Sequence, residues 1–207
     1  VIALFISAFV TFFVVIDPPG CAPIFASLTS GTPATHRRNM AIRSVMVASC
    51  ILFAFALAGK PFLQSMGVSL EAFRVAGGIM LFLIALEMVF EKRTERRESR
   101  VQDVKASEEH DDISIFPMGI PMIAGPGSIA SAMLLCSRVD NWYDRGVVLA
   151  AMASILLLTM ASLLMAGPLM TLLGARLEAM ITRVLGVILA ALATQFVIDG
   201  IKSSFGV

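Results

Sequence analysis

The chain has 207 residues, 57% of them apolar and only 15% charged, with a formal net charge of +1 and a mean hydropathy of +0.87. Soluble domains run near 45–50% apolar and about 25% charged, so an ordinary soluble core is excluded and an all-α polytopic membrane protein is indicated. There is no basic domain and no recognition motif, so nucleic acid is not an expected partner. The three cysteines lie inside apolar runs at spacings that fit neither a disulfide framework nor a metal site.

A bilayer is crossed by roughly 20 apolar residues in helix, and six segments reach that scale. The first runs from Val1 to Leu28. Its opening, "VIALFISAFVTFF", has no basic n-region and no A-x-A site, so it is read as the visible part of a span rather than a cleavable leader. The segment is interrupted at Asp17, Pro18, Pro19 and Gly20. The second covers Met40 to Met66 and the third Glu71 to Phe90. Residues 91–112 are almost wholly polar and charged and are expected to form a solvated linker. The fourth segment, Ile113 to Cys136, is interrupted at Gly125, Pro126 and Gly127. The fifth runs from Arg145 to Leu173, with Pro168 near its end, and the sixth from Glu178 to Phe205.

Lys and Arg divide unequally between the two sides. Eleven of the sixteen fall on the side of the linker, Arg37 and Arg38 among them. Cytoplasmic loops carry the basic excess, which predicts a cytoplasmic linker and both termini outside.

The two halves align with a shift of about 107 residues. "IDPPGCA" at 16–22 meets "IAGPGSI" at 123–129, and "SMGVSLEA" at 65–72 meets "LLGARLEA" at 172–179. With one further residue of slip, Gly78 meets Gly186, Glu87 meets Gln195 and Val89 meets Val197. Each unit holds three spans, an odd number, so the second enters from the opposite side. The expected organisation is three-helix repeat 1–90, cytoplasmic linker 91–112 and inverted repeat 113–207, an arrangement common among secondary transporters.

Both interruptions fall in the first span of their repeat. Proline inside a helix removes a donor and costs about 3 kcal/mol, and freed backbone groups survive at membrane depth only inside protein or beside a wet cavity. Two matched breaks are expected to meet near the midplane. One half-helix start would offer N–H groups to an anion, and the opposing carbonyl ends would attract an ammonium, a combination suited to a small zwitterion.

Three stretches, "DPPGCAPIF", "AFRVAGGIMLFLIALEM" and "PMGIPMIAGPGSIASAM", together resemble the MarC family of bacterial inner-membrane proteins, and the resemblance covers nearly the whole chain. It implies kinship with the LysE-like amino acid exporters and transport of small neutral amino acids such as glycine and alanine.

The expected substrate-binding set is Asp17, Pro18, Pro19, Gly20, Cys21, Ala124, Gly125, Pro126, Gly127 and Ser128. A carboxylate at bilayer depth costs at least about 2.5–3.5 kcal/mol. Asp17 therefore reads as a ligand for the substrate ammonium or a carrier of a coupled proton; the alternative is a helix N-cap, since Asp caps well and Pro fits a first turn. The repeat has Ala124 at the matching position. Gly20, Gly125 and Gly127 permit close backbone approach, and Ser128 could bond a carboxylate. Glu87, with its repeat mate Gln195, is a candidate for gating or coupling, against interfacial snorkelling as the plainer account. Gly77, Gly78 and Gly186 read as close-packing positions.

The function expected is secondary transport of glycine or alanine by alternating access, since Gly, Ala and Ser flank both breaks. There is no ATP motif, so H⁺ or Na⁺ is the candidate coupling ion, with no other cofactor or metal expected. Membrane lipid is an expected partner, and a homo-oligomer is compatible with the sequence. The competing function is an exporter or channel for another small solute or a drug; a drug cavity should be lined by aromatics, and one Trp and one Tyr count against it while fourteen Phe keep it open. An intramembrane enzyme is not expected, because neither His falls in a span and no H-E-x-x-H occurs. A structural membrane protein with no transport is a further alternative.

Overall fold

The computed structural model describes residues 1–90, 112–139 and 141–206, with Ser99 and Gln102 between the first two stretches; for 168–178 it describes the helical backbone. The linker expected at 91–112 thus lies outside the described residues except for Asp112 and those two positions.

The described chain folds as α1 (Ile2–Ile16), α2 (Pro18–Leu28), α3 (Ala34–Ser65), α4 (Leu70–Val89), an irregular wide-turn segment α5 (Ser114–Ile123), α6 (Pro126–Ser137), α7 (Trp142–Leu164) and α8 (Ala166–Phe205). No strand occurs among the described residues. Five helical stretches are long and apolar enough to cross a membrane, α1 and α2 counting as one, and the bent pair α5–α6 makes up to six. The outward faces are apolar, as lipid contact demands: Leu83 of α4 is 55% exposed and Val187 of α8 is 60% exposed.

Helix ends follow local chemistry. Ser69 Oγ accepts the Ala72 N–H at 3.1 Å to start α4, and Asn141 Oδ1 accepts the Asp144 N–H at 2.7 Å to start α7. After α3, Gly67 takes φ +72 while the Val68 N–H reaches back to the Leu63 carbonyl at 3.0 Å, the left-handed stop that glycine permits. Two boundaries differ from those expected. The fifth helix stops at Leu164 rather than Leu173, and α8 starts at Ala166, so position 168 falls in its first turn.

α4 packs mainly on α8, α1 and α2 pack on α7, and α3 packs on α5 and α6; α3 also crosses α7. The α4–α8 contact is reciprocal. A Cβ built on Gly78 would lie 2.7 Å from Val197 Cγ2 and 2.9 Å from the Ala193 carbonyl oxygen. One built on Gly186 would lie 2.9 Å from Met88 Cβ, 3.0 Å from Val89 Cγ2 and 3.1 Å from the Ala85 carbonyl oxygen. Gly200 likewise approaches Val75, Arg74 and Glu71. Partner numbers fall on α8 as they rise on α4, so the two helices run antiparallel. Small residues permit this approach where no hydrophobic force drives helices together in lipid.

At one end, Arg43 of α3 is tied to Asp112 by a 3.0 Å ion pair. The Ser114 hydroxyl and the Ser114 N–H both donate to the same carboxylate. These two bonds hold the Asp112 carboxyl below the ordinary carboxylate range; burial opposes them less strongly, and Arg43 adds to the lowering. A lowered folded pKa stabilises above the unfolded value of about 3.9 and is lost as pH falls through the folded one. Asp112→Ala should therefore melt below the parent protein at pH 7, with the gap narrowing below about pH 4. Thermal scans in detergent across that range measure it; a gap unchanged down to pH 3 would show that the ionised carboxylate is not what matters.

Candidate functional site: two breaks in the spanning helices

α1 stays helical to Ile16, then Asp17 takes φ 58 and ψ 66. Few residues tolerate this left-handed conformation, and Asp is one of them. Pro18 also disfavours a right-handed helical residue before it. The interruption thus occupies Asp17 alone, and Pro18, Pro19 and Gly20 form the first turn of α2, where a missing N–H costs nothing. Asp17 is 2% exposed. Its Oδ1 accepts the Gly20 N–H at 3.1 Å, and its own carbonyl accepts the Cys21 N–H at 3.0 Å. Cys21 Sγ–H donates to the Ile16 carbonyl at 3.4 Å. Pro18 and Pro19 have no N–H to give to the carbonyls of Val14 and Val15. Asp17 is therefore an N-cap; that geometry is equally compatible with a ligand role.

The second interruption is longer than the sequence suggested. Phe116 and Ile120 are extended, at φ −126, ψ 130 and φ −129, ψ 125. Each precedes a proline, which disfavours helix at the residue before it. Between them, the Met118 N–H bonds the Ile113 carbonyl and the Ala124 N–H bonds the Gly119 carbonyl, both five residues back. Ala124 then leaves the helix, Gly125 is extended, and Pro126 opens α6, which bends 52° from α5. A Cβ on Gly125 would sit 2.5 Å from the Pro121 carbonyl oxygen, so only glycine fits there.

Asp17 and Gly125 are each the N-cap before a proline. The difference between them is chemical. The start of α2 is capped by the Asp17 side chain, whereas α6 has no side-chain cap, which leaves its first N–H groups uncapped. The two breaks are neighbours, because a Cβ on Gly127 would lie 3.3 Å from Val15 Cγ1, as well as 2.6 Å from Ile84 Cδ1 of α4. Ala124, Gly125, Gly127 and Ser128 are buried, and Pro126 is exposed.

Glu87 and Gln195 sit at different levels of the α4–α8 contact, Glu87 near Gly186 and Gln195 near Gly78. Nine residues of helix separate those levels, about 13 Å. Gln195 Nε2 donates to Asp199 Oδ1 at 2.6 Å.

Sequence reasoning missed Ser131. It is fully buried, one turn beyond Gly127 on the same face of α6. Helical hydroxyls elsewhere bond the carbonyl four residues back, as Thr11 does to Ser7, Ser44 to Met40 and Thr159 to Ile155, each at 2.8 Å. Ser131 Oγ does not, and has no hydrogen-bond partner among the described residues.

The profile of the family described as "MarC family integral membrane protein" matches residues 2–205. The chain belongs to the MarC family. Among its relatives is a UPF0056 membrane protein of Methanocaldococcus jannaschii, 36% identical over 97% of both chains. The UPF0056 membrane protein YvbG of Bacillus subtilis is 33% identical over 98% of this chain and 96% of its own. YhcE of Escherichia coli is 30% identical over 95% and 91%. No solved structure matches. As a MarC-family chain it is an integral, multi-pass membrane protein.

A second polar cluster of this MarC-family chain closes the far end of α6. Arg138 pairs with Asp199 of α8 and lies 4.2 Å from the centre of the Phe196 ring. Burial pulls the Arg138 pKa down and Arg74 adds to this, while Asp199 opposes it. Neither of two cavities, one of about 350 Å³ between Lys60 and Glu71 and one of about 390 Å³ beside Arg37 and Arg38, is lined by a break residue.

Proposed function

We propose that the protein is a secondary transporter of small neutral amino acids, glycine and alanine foremost, held between the two helix breaks. The observation that carries this is a buried carboxylate at one break beside an uncapped helix start at the other. The uncapped N–H groups of Gly127 and Ser128 suit an α-carboxylate, and Asp17 with the carbonyl end of α1 suits an ammonium. Small residues, Gly125, Gly127, Ser128 and Ala130, flank the second break, which suits a ligand with a small side chain.

The antiparallel, reciprocal α4–α8 contact supports the inverted repeat, since mates related by a two-fold axis in the membrane plane must run oppositely. The exchange of α1–α2 on α7 for α5–α6 on α3 supports it as well. In this reading the protein sits in a bacterial inner membrane with the linker cytoplasmic and both termini outside, driven by H⁺ or Na⁺. Trp142 and Tyr143 are exposed at the start of α7, away from the breaks, which weighs against an aromatic drug cavity.

The test is uptake of labelled glycine and L-alanine into proteoliposomes under imposed H⁺ or Na⁺ gradients. No uptake of either by folded protein, under either gradient, would sink the amino-acid reading.

Ser131 refines it. An unsatisfied buried hydroxyl costs about 1–3 kcal/mol, so Ser131→Ala should stabilise the protein by about 1 kcal/mol. If the hydroxyl meets substrate, the same change should weaken glycine affinity about 5–10-fold, one hydrogen bond's worth. Melting and half-saturation measured side by side check this; a stabilised variant with unchanged affinity would make Ser131 a bystander.

A further inference from the structure

At the end of α2, the start of α3 and the end of α7, a cavity of about 390 Å³ is lined by Phe25, Ala34, Arg37, Arg38, Leu163 and Leu164. Phe25 and Leu163 are buried and form an apolar floor, while Leu164 is 42% exposed at the side. Arg37 and Arg38 are exposed, and neither has an ion pair or side-chain hydrogen bond among the described residues. Arg43, further along α3, is by contrast engaged by Asp112. Among the described residues no acidic side chain lines the cavity, so the two guanidinium charges stand over an apolar floor with no carboxylate of that lining beside them.

We propose that this cavity is a binding site for an anionic phospholipid, its phosphate on Arg37 and Arg38 and its first acyl carbons along Phe25, Leu163 and Leu164. Three observations converge on a lipid. The cavity lies where three membrane segments end, at headgroup depth. Its charge is positive and unpaired, and basic pockets between spanning helices suit anionic headgroups. Its floor is apolar, which a soluble phosphate would not need. Guanidinium also bonds phosphate through two parallel N–H groups. A lipid seated there would bridge α3 and α7 to the end of α2, the half-helix that begins at Asp17.

The test uses the full chain in detergent, followed by native mass spectrometry with phosphatidylglycerol and with phosphatidylcholine. Phosphatidylglycerol should be retained and phosphatidylcholine should not. Arg37→Gln/Arg38→Gln should weaken phosphatidylglycerol binding on the order of 20-fold, two charges' worth. Arg96→Gln/Arg97→Gln, with the same change in net charge, should alter it less than about twofold. Millimolar inorganic phosphate should not displace the lipid. Equal loss in both double variants would overturn the site in favour of diffuse charge attraction. Displacement by phosphate would point to a soluble anion, and undiminished binding by the Arg37/Arg38 variant would remove the arginines from any role. Equal melting of the lipid-free variants shows that folding is intact, since both arginines are exposed.

Discussion

Asp17→Asn is expected to fold and insert normally while losing gradient-driven glycine uptake by about 100-fold or more, the range seen when a buried charge pair loses one partner. The pairing of this variant with Asp17→Ala separates two roles that the geometry superimposes. Asn caps helices as well as Asp does and tolerates the left-handed φ of 58. It is also isosteric, so it keeps an acceptor for the Gly20 N–H while removing the charge and turning the other oxygen into an NH2 donor. Ala loses the cap, at about 1 kcal/mol, and strains at positive φ by a further 1–2 kcal/mol. Asp17→Ala should therefore be destabilised by about 2–3 kcal/mol, and Asp17→Asn little. Uptake and counterflow exchange in proteoliposomes, read beside melting, give the partition. Loss of both uptake and exchange in the Asn variant assigns the carboxylate to the ammonium. Loss of gradient-driven uptake with exchange preserved assigns it to a coupled proton. Parent-like uptake would leave Asp17 as a cap alone.

What the sequence revealed depended on whether a signal was local. The first break was legible because a carboxylate and two prolines stand together in an apolar run, and the rules for Asp, Pro and the pre-proline residue all act within four positions. The irregularity of α5 was legible in principle. Phe116 and Ile120 each precede a proline, but hydropathy carried the segment through as one span with a single interruption. The α7–α8 boundary was not legible by charge, since residues 147–175 hold none, and the Gly-Pro pair at 167–168 was read as lying near the end of one helix. The preference of proline for a first helical turn would have moved the boundary before position 168. Ser131 could not be found at all, because a serine in a helix normally bonds its own backbone and only the fold shows that this one does not. Nor could the difference between the two helix starts. Only the fold shows that the Asp17 side chain caps α2 while α6, starting after Gly125, has no side-chain cap.

Gly78→Ala and Gly186→Ala should each destabilise the protein by about 1–3 kcal/mol, the ordinary cost of overpacking. The reasons are matched: each new methyl meets the partner helix beside a backbone carbonyl, 2.9 Å from Ala193 for Gly78 and 3.1 Å from Ala85 for Gly186. A carbonyl cannot rotate away, so the helices must part. Between membrane helices the close contact is itself the attraction, and parting loses dispersion along the whole seam. Gly78 should cost more, since its methyl would lie under 3.0 Å from both the Ala193 oxygen and Val197 Cγ2. Gly146→Ala, in α7 with nothing within 4 Å, should instead gain up to about 1 kcal/mol from helix propensity. The double variant is the sharper test. Once one methyl has separated α4 from α8, the second meets a seam already opened, so the double variant should cost less than the sum of the two single variants. Full additivity would mean that each methyl is absorbed locally, and the two glycines would then not share one rigid seam. Steric trapping or thermal melting of the four proteins decides between these.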